Sequence, residues 1–264
     1  NLNYGLKAPK RLDPNVLREY SVEYSASVQH EFIPGYSASL VYLRRPYRNS
    51  LASKNVLVNP SDYAVFQVPS PLNNGEMITV YNLNQVKQGQ VDVLDTSSEV
   101  NTRTYSGVHL VVNGRLPHGG TLLGGWSMER NPTVTCDSND PNQFRFCDQN
   151  GKLYQANGAT PSTPFLGSYR VLGTFPGLPY ALTASMAVRR FAGDPAINNW
   201  VVPAALFPNG RRTQAVTVPL VSPTAQFLPA WTQVDLSAAT RLLVVRFKPA
   251  EKPFEPYSGQ PGKD

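Results

Sequence analysis

The stretch from Tyr20 to Phe32 constrains the fold more than any other part of the sequence. Every second residue in it is apolar, aromatic or histidine, and the residues between are Ser, Glu or Gln. A period of two predicts a β-strand with one apolar and one polar face. Residues 33–36 (IPGY) then supply turn chemistry, and residues 37–45 alternate again. We therefore predict a long β-hairpin, whose function depends on what its apolar face contacts.

Two further hairpins of the same kind follow. The second extends from about Tyr105 to Arg130 and turns at residues 117–120 (PHGG). The third extends from Phe165 to Phe191 and turns at residues 176–179 (PGLP). The segments 46–104 and 131–163, which separate the hairpins, have no sustained period and are predicted to be long loops. Less regular strand candidates are 200–206, 215–220, 232–240 and 242–247.

Composition agrees with an all-β fold. Hydrophobic residues make up 41% of the 264 residues, and charged residues only 16%, while 24 prolines and 19 glycines provide turns. The predicted fold class is an antiparallel up-and-down β-barrel, or part of one, with tight turns at one end and long loops at the other. We expect residues 1–16 to be an irregular lead-in, 17–247 the barrel segment, and 248–264 a proline-rich, disordered tail.

The net charge of +6 does not indicate nucleic-acid binding. Lysines and arginines are scattered, with only short pairs, whereas a nucleic-acid interface clusters them with stacking aromatics. We therefore expect no nucleic-acid partner. The sequence also has no run of 18 apolar residues, so no transmembrane helix is predicted.

The two cysteines, Cys136 and Cys147, lie in a polar stretch (CDSNDPNQFRFC) that we expect to be exposed. Their closeness favours a disulfide in an oxidising compartment over a metal site, which would need two more ligands. The oxygen-bearing residues of this stretch are an alternative Ca²⁺ site, but they lack EF-hand spacing, so an ordinary polar loop and no cofactor are favoured. These residues are Asp137, Asn139, Asp140 and Asp148.

Catalytic motifs are largely missing, which favours a non-enzymatic role. Gly125-Trp126-Ser127-Met128 breaks the G-x-S-x-G pattern at its last position, and no two histidines have metal-ligand spacing. If the chain is an enzyme, Glu23 and His109 are the candidate catalytic residues. In a barrel, the polar phase of the strands would face the lumen. The residues predicted to do so are Glu19, Glu23, Gln29, Glu31, His109, Asn113 and Arg115.

Three segments carry a resemblance to a known family. They are LDPNVLREY with the VQHE element and the strand ending YLRR, then YSGVHLVVNGRLPHGG, then FLGSYRVLGTFPGLPYALTASM after the cysteine stretch. In order and spacing they resemble the barrel of TonB-dependent outer-membrane receptors, in the Oar-like branch with a carboxypeptidase-regulatory-like domain. The resemblance covers residues 6–240, roughly, and consists of diffuse motifs. It implies uptake or binding of a bulky nutrient at the outer membrane of a Gram-negative bacterium, with membrane lipid as a partner.

The sequence departs from that family in two respects. It contains no plug domain and no TonB box, so contact with a TonB-type energising protein would run through other domains. After Leu236 the family ending is replaced, and we expect a C-terminal fragment of about eight to ten strands, where large receptors have 22. Two alternatives stay open: a soluble β-sheet hydrolase of glycosidase or esterase type, and a structural or surface module that assembles through its edges.

Overall fold

The computed structural model describes residues 10–150 and 162–240, and in these ranges the protein is all-β. No helix in the described ranges is long and apolar enough to cross a membrane. The strands are β1 (Lys10–Leu12), β2 (Tyr20–Ser21), β3 (Tyr24–Ile33), β4 (Tyr36–Arg48), β5 (Leu51–Asn55), β6 (Tyr63–Pro69), β7 (Met77–Leu83), β8 (Val93–Ser97), β9 (Thr102–Arg115), β10 (Thr121–Arg130), β11 (Thr133–Val134), β12 (Leu166–Leu178), β13 (Leu182–Phe191), β14 (Asn199–Val201), β15 (Thr217–Pro219) and β16 (Trp231–Thr240). The short 3-10 helices are Pro60–Asp62, Gln85–Lys87, Pro117–Gly119, Pro141–Phe144, Pro179–Ala181, Ala204–Leu206 and Pro208–Gly210.

Seven long strands form one antiparallel sheet, which we call the wall. Its order is β3-β4-β9-β10-β12-β13-β16. The long strands thus lie in the sheet in the same order as in the chain. The short strands β2 and β11 extend it at one end, beside β4 and β9. Within the described residues β3 and β16 do not pair with each other, so the wall is open. The predicted antiparallel all-β class is confirmed.

The three tight turns of the wall lie side by side at one end. Gly35 adopts a φ of +86°, which only glycine accepts easily, and its backbone approaches the Cβ atom of Arg115 from the second hairpin. Gly177 in turn lies close to the side chain of His118. The long segments that join the hairpins therefore emerge together at the other end, as the sequence predicts.

Two strand boundaries differ from prediction. The predicted turn at 176–179 is wrong, because β12 continues to Leu178 through a bulge and the chain reverses at Pro179–Ala181. A bulge absorbs Gly177 without ending the strand. The predicted break after Arg45 is also wrong, since β4 includes Pro46 and extends to Arg48, and the Pro46 carbonyl accepts a hydrogen bond from Val22.

The two segments expected to be long loops fold into a second unit, together with residues 192–230, which contain two of the strand candidates. We call residues 49–101, 131–150 and 192–230 the cap. It contains three small sheets, formed by β5 and β8 together with β1 from the lead-in, by β6 and β7, and by β14 and β15. Part of the predicted irregular lead-in, residues 10–12, thus belongs to a sheet. The predicted tail (248–264) and the candidate strand 242–247 lie outside the described residues.

The cap has a hydrophobic core to which distant parts of the chain contribute. Val68, Ile78 and Val80 of the first segment pack with Val202 and Val218 of the third, and all five are essentially buried. The strands of the first segment are too short to show a clear period, which is why the sequence pattern predicts a loop there, whereas β15 lies within the strand candidate 215–220. Burial of apolar area on contact between the segments stabilises them instead.

Polar contacts from the middle segment join the other two. The Asn142 side chain accepts a hydrogen bond from the backbone N–H of Tyr81 and donates one to its carbonyl, each at 2.9 Å. Arg145, whose side chain is only 8% exposed, donates to Glu76 at 2.6 Å and to the carbonyl of Pro219 at 2.8 Å. One arginine therefore bridges the first and third segments.

Burial is distributed unevenly between the two units. Every buried hydrophobic residue of the described chain lies outside the seven wall strands. The protein core sits in the cap, and no layer of described residues covers the wall.

Candidate functional site

The register of the wall separates its residues into two faces. Residues directly opposite one another in neighbouring strands point to the same side, and successive residues alternate. One side, the apolar face, includes Val28, Leu40, Leu110, Trp126, Val171, Met186 and Leu236. The other side, the polar face, includes Gln29, Ser39, His109, Ser127, Arg170, Ser185 and Asp235. The amphipathic strands predicted from the sequence are thus aligned across the whole sheet.

The apolar face is exposed. Leu236 is 75% exposed, Val28 63% and Leu40 45%. Such a broad unburied apolar surface is unusual for a soluble monomer and marks a contact surface. Near the turns it ends in aromatic residues, where Phe32 and Tyr36 lie 6.5 Å apart between ring centroids.

Four of the predicted lumen-facing residues come together on the polar face. Gln29, Glu31, Asn113 and Arg115 line a depression of about 760 Å³ near the turns. There the Glu31 carboxylate accepts a hydrogen bond from the backbone N–H of Gly35 at 2.7 Å. The alternation of β3 and β9, continued over the adjacent strand β4, accounts for this grouping.

The two predicted glutamates at the start of the hairpin lie elsewhere. Glu19 precedes the wall and accepts a hydrogen bond from Ser50 at 3.3 Å. Glu23 forms an ion pair with Arg45, whose Nε lies 2.9 Å from its carboxylate. The Arg45 guanidinium also lies 6.0 Å from the ring centroid of Tyr105. Glu23 is therefore held within a charged row at the loop end of the polar face.

A second depression of the polar face is centred on Gly125. It measures about 280 Å³, and its lining includes His109, Ser127, Ser168 and Arg170. A Cβ atom built on Gly125 would meet nothing within 4 Å, so the missing side chain accounts for part of the space. Register places Ser127 directly between His109 and Ser168.

At the loop end of this depression Glu129 completes a hydrogen-bonded cluster. The hydroxyl of Tyr105 donates to a Glu129 carboxylate oxygen at 2.6 Å and lies 3.0 Å from Nε2 of His109. The same carboxylate lies 3.8 Å from Nε2 of His109. These three side chains combine donors, acceptors and a titratable imidazole within one small area.

Arg170 and an aromatic pair form the other margin. The guanidinium lies 5.0 Å from the ring centroid of Phe191, and Phe191 stacks on Trp231 at 4.7 Å. Arg189, directly opposite Arg170 on β13, forms an ion pair with Asp235 at 2.9 Å. The depression thus has a cationic margin, a hydroxyl-lined floor and an acidic margin.

The structure does not bring the two candidate catalytic residues together. Glu23 directly precedes β3, whereas His109 lies on β9, beyond β4 and about four residues further along the sheet, so their Cα atoms are about 17 Å apart. Ser127 stands directly across from His109, but within the described chain no hydrogen bond joins them. In the described residues, His109 is hydrogen-bonded to Tyr105 and not to Ser127.

The predicted disulfide between Cys136 and Cys147 is confirmed. The expectation that this stretch is exposed is wrong, because both cysteines are buried in a cluster with Val134 and Phe144. All four residues belong to the middle segment of the cap, so the cross-link lies inside a small core of that segment.

The oxygen-bearing residues of the cysteine stretch serve as structural acceptors and donors. Asp137 pairs with Lys54 and accepts from Ser98, and Asn139 donates to the carbonyls of Asn55 and Val58. Asp140 and Asp148 accept from backbone N–H groups two residues further on. Among the described residues no cluster of three or more His, Cys, Asp or Glu side chains has a metal-site arrangement.

Several residues of the Gly125 depression were not predicted from the sequence. They are Ser127, Glu129, Ser168 and Arg170 of the lining, and Tyr105, which donates a hydrogen bond to Glu129. The sequence did contain one indication of each, because all five occupy the alternating positions of β9, β10 or β12 that point to the polar face. What the sequence did not provide was their adjacency, which depends on the register between strands from different hairpins.

No protein-family model, no curated protein and no solved structure matches this chain in the three comparisons made.

Proposed function

We propose that this chain is a wall segment of an outer-membrane β-barrel, related to TonB-dependent receptors, that takes part in uptake or binding of a bulky nutrient. The observation that carries the proposal is the uncovered apolar face, combined with a protein core confined to the cap. In water, exposure of that face would be costly at about 25 cal/mol per Å². Against lipid hydrocarbon the cost disappears.

Strand length supports the same conclusion. The wall strands contain 10–14 residues. Ten residues span about 34 Å along a strand, or about 26 Å along the membrane normal at a tilt of about 40°, close to the ~25 Å apolar band of outer-membrane barrels. Strands of soluble domains are commonly about half as long.

The two ends of the wall fit the same orientation. Outer-membrane barrels have short turns on the periplasmic side and long loops outside. We place the cap outside, where it would meet the nutrient first, and the polar face along the passage. Energy from a TonB-type protein would reach this segment through other domains.

The open edges support a second candidate, assembly with other chains. Within the described residues, β3 and β16 each leave one side of their backbone unpaired. Exposed edge strands are templates for pairing with another strand. If the edges pair with other chains, chemical cross-linking in detergent should reveal oligomers. If they do not, it should reveal only monomers.

A matched pair of substitutions on β4 tests the proposed membrane contact. Leu40 points to the apolar face and its neighbour Ser39 to the polar face. Leu40 lies about 13 Å above the turns along the membrane normal, near the middle of the apolar band. Leu40→Arg is expected to destabilise the folded, vesicle-inserted protein by about 2–4 kcal/mol, and Ser39→Arg by less than about 1 kcal/mol.

The measurement is urea unfolding in phosphatidylcholine vesicles, followed by tryptophan fluorescence. Wild-type protein is expected to need detergent or vesicles to stay dispersed. A soluble, monodisperse wild-type protein in plain buffer would overturn the proposal. Equal effects of the two arginines in vesicles would overturn it as well.

A further inference from the structure

Arg170 lies at one margin of the Gly125 depression. Its guanidinium contacts Phe191 and, among the described residues, has no carboxylate partner. Directly opposite on β13 stands Arg189, and like charges in that position destabilise a sheet. The Asp235 carboxylate is shared between Arg189 and Gln233, which leaves Arg170 uncompensated. A ligand carboxylate would relieve this repulsion and bind the planar guanidinium through two hydrogen bonds.

Glu129 provides the complementary charge at the opposite margin. Its carboxylate accepts one hydrogen bond, from Tyr105, and is half exposed. A carboxylate has room for about four such bonds. A ligand ammonium group would therefore find an oriented acceptor here, because the Tyr105 hydrogen bond already fixes the carboxylate.

The space between the two charges is suited to a short chain with hydrogen-bonding groups. Ser127 and Ser168 stand opposite each other in the row between them, and Gly125 leaves the floor open. On one side the stacked rings of Phe191 and Trp231 form an aromatic shelf for an apolar side chain.

Register sets the distance that a ligand must span. Arg170 lies opposite Gly125, and Glu129 lies four residues further along β10. The Cα atoms of Arg170 and Glu129 are therefore about 14 Å apart. An extended peptide covers about 3.3–3.6 Å per residue, so three residues span about 10–11 Å, and hydrogen bonds at the two ends take up the remaining distance.

We propose that the Gly125 depression binds short zwitterionic peptides, with the terminal carboxylate at Arg170 and the terminal ammonium at Glu129. This rests on the proposed function, because it names the ligand class that would pass along the polar face. Binding requires both charged ends of the peptide and is independent of its sequence to a first approximation.

The test uses the full chain refolded in detergent micelles and titrated with trialanine, followed by calorimetry. Trialanine is expected to bind, and blocking either end, by acetylation or by amidation, is expected to weaken binding roughly tenfold or more. Arg170→Gln should remove the preference for a free carboxylate, and Glu129→Gln the preference for a free amine. Arg115→Gln, in the other depression of the same face, is the matched control and should leave binding unchanged.

Equal binding of free and doubly blocked trialanine would overturn the inference, and so would no binding up to roughly 10 mM. These comparisons use wild-type protein, so they stay decisive if a variant does not fold. If the protein inserts into vesicles but does not bind trialanine through its charged ends, the peptide site is refuted and the proposed membrane function is not. Trialanine binding by protein that is soluble without detergent would instead uphold the site and overturn the membrane proposal.

Discussion

Val80→Ala tests whether the cap is one cooperative unit. Val80 is fully buried in the cap core, whereas Val65 on the neighbouring strand is 62% exposed. Removal of two buried methyl groups costs about 1.6 kcal/mol in transfer free energy, and the cavity left behind raises this to about 2–3 kcal/mol. Val65→Ala removes the same atoms from an exposed site and is expected to cost less than about 0.5 kcal/mol.

Hydrogen exchange followed by mass spectrometry measures this effect locally. A loss of 2–3 kcal/mol raises exchange through cap opening by roughly 30–150-fold. The increase should extend from Met77–Leu83 to Thr217–Pro219, since both strands contribute to the same core. Wall peptides, which share no buried core with Val80, should exchange at the wild-type rate.

The reasoning would be refuted by either of two results. One is an increase confined to the hairpin that contains Val80, which would mean that the cap segments open separately. The other is an equal effect of Val65→Ala, which would mean that burial in the shared core is not what stabilises this sheet.

Two further predictions concern the cap. Reduction of Cys136–Cys147, which closes a loop with a sequence separation of 11, should destabilise the cap by about 2–3 kcal/mol and expose it to protease while the wall stays protected. Equal cleavage with and without reductant would contradict this. Burial, with a contribution from the negative charge of Asp140, raises the pKa of Tyr63 to about 12. Because the folded state holds that proton more tightly, its contribution to stability is complete below pH ~10 and is lost as the pH rises through about 12. Urea unfolding of the cap at increasing pH should show this loss, and Tyr63→Phe should flatten the profile; an unchanged profile in the variant would count against it.

Local patterning predicted the wall well. The alternation in β3, β4 and β9 is a property of consecutive residues, because successive side chains on a strand point to opposite sides whatever the strand pairs with. The hairpin turns at residues 33–36 and 117–120 follow from proline and glycine chemistry in the same way. Only the third turn lies at a different position from the predicted one, because a bulge allows β12 to continue past Gly177.

The cap was not predictable by that reasoning. Its core joins Val80 and Val218, which are far apart in sequence and lie on strands of seven and three residues. Arg145, in a stretch interpreted as an exposed polar loop, is buried because the first and third segments enclose it. Such contacts appear only when distant segments are packed together, since no local signal specifies which of them meet.

The candidate site lies between these two cases. The sequence by itself determined that His109, Glu129 and Arg170 lie on the polar phase of their strands, since phase depends only on position along the strand. Tertiary structure alone decided that β9, β10 and β12 lie side by side in a register that places these residues around Gly125. The physical reason is that register depends on pairing between strands from different hairpins, and a shift of one residue would turn every one of these side chains to the opposite face.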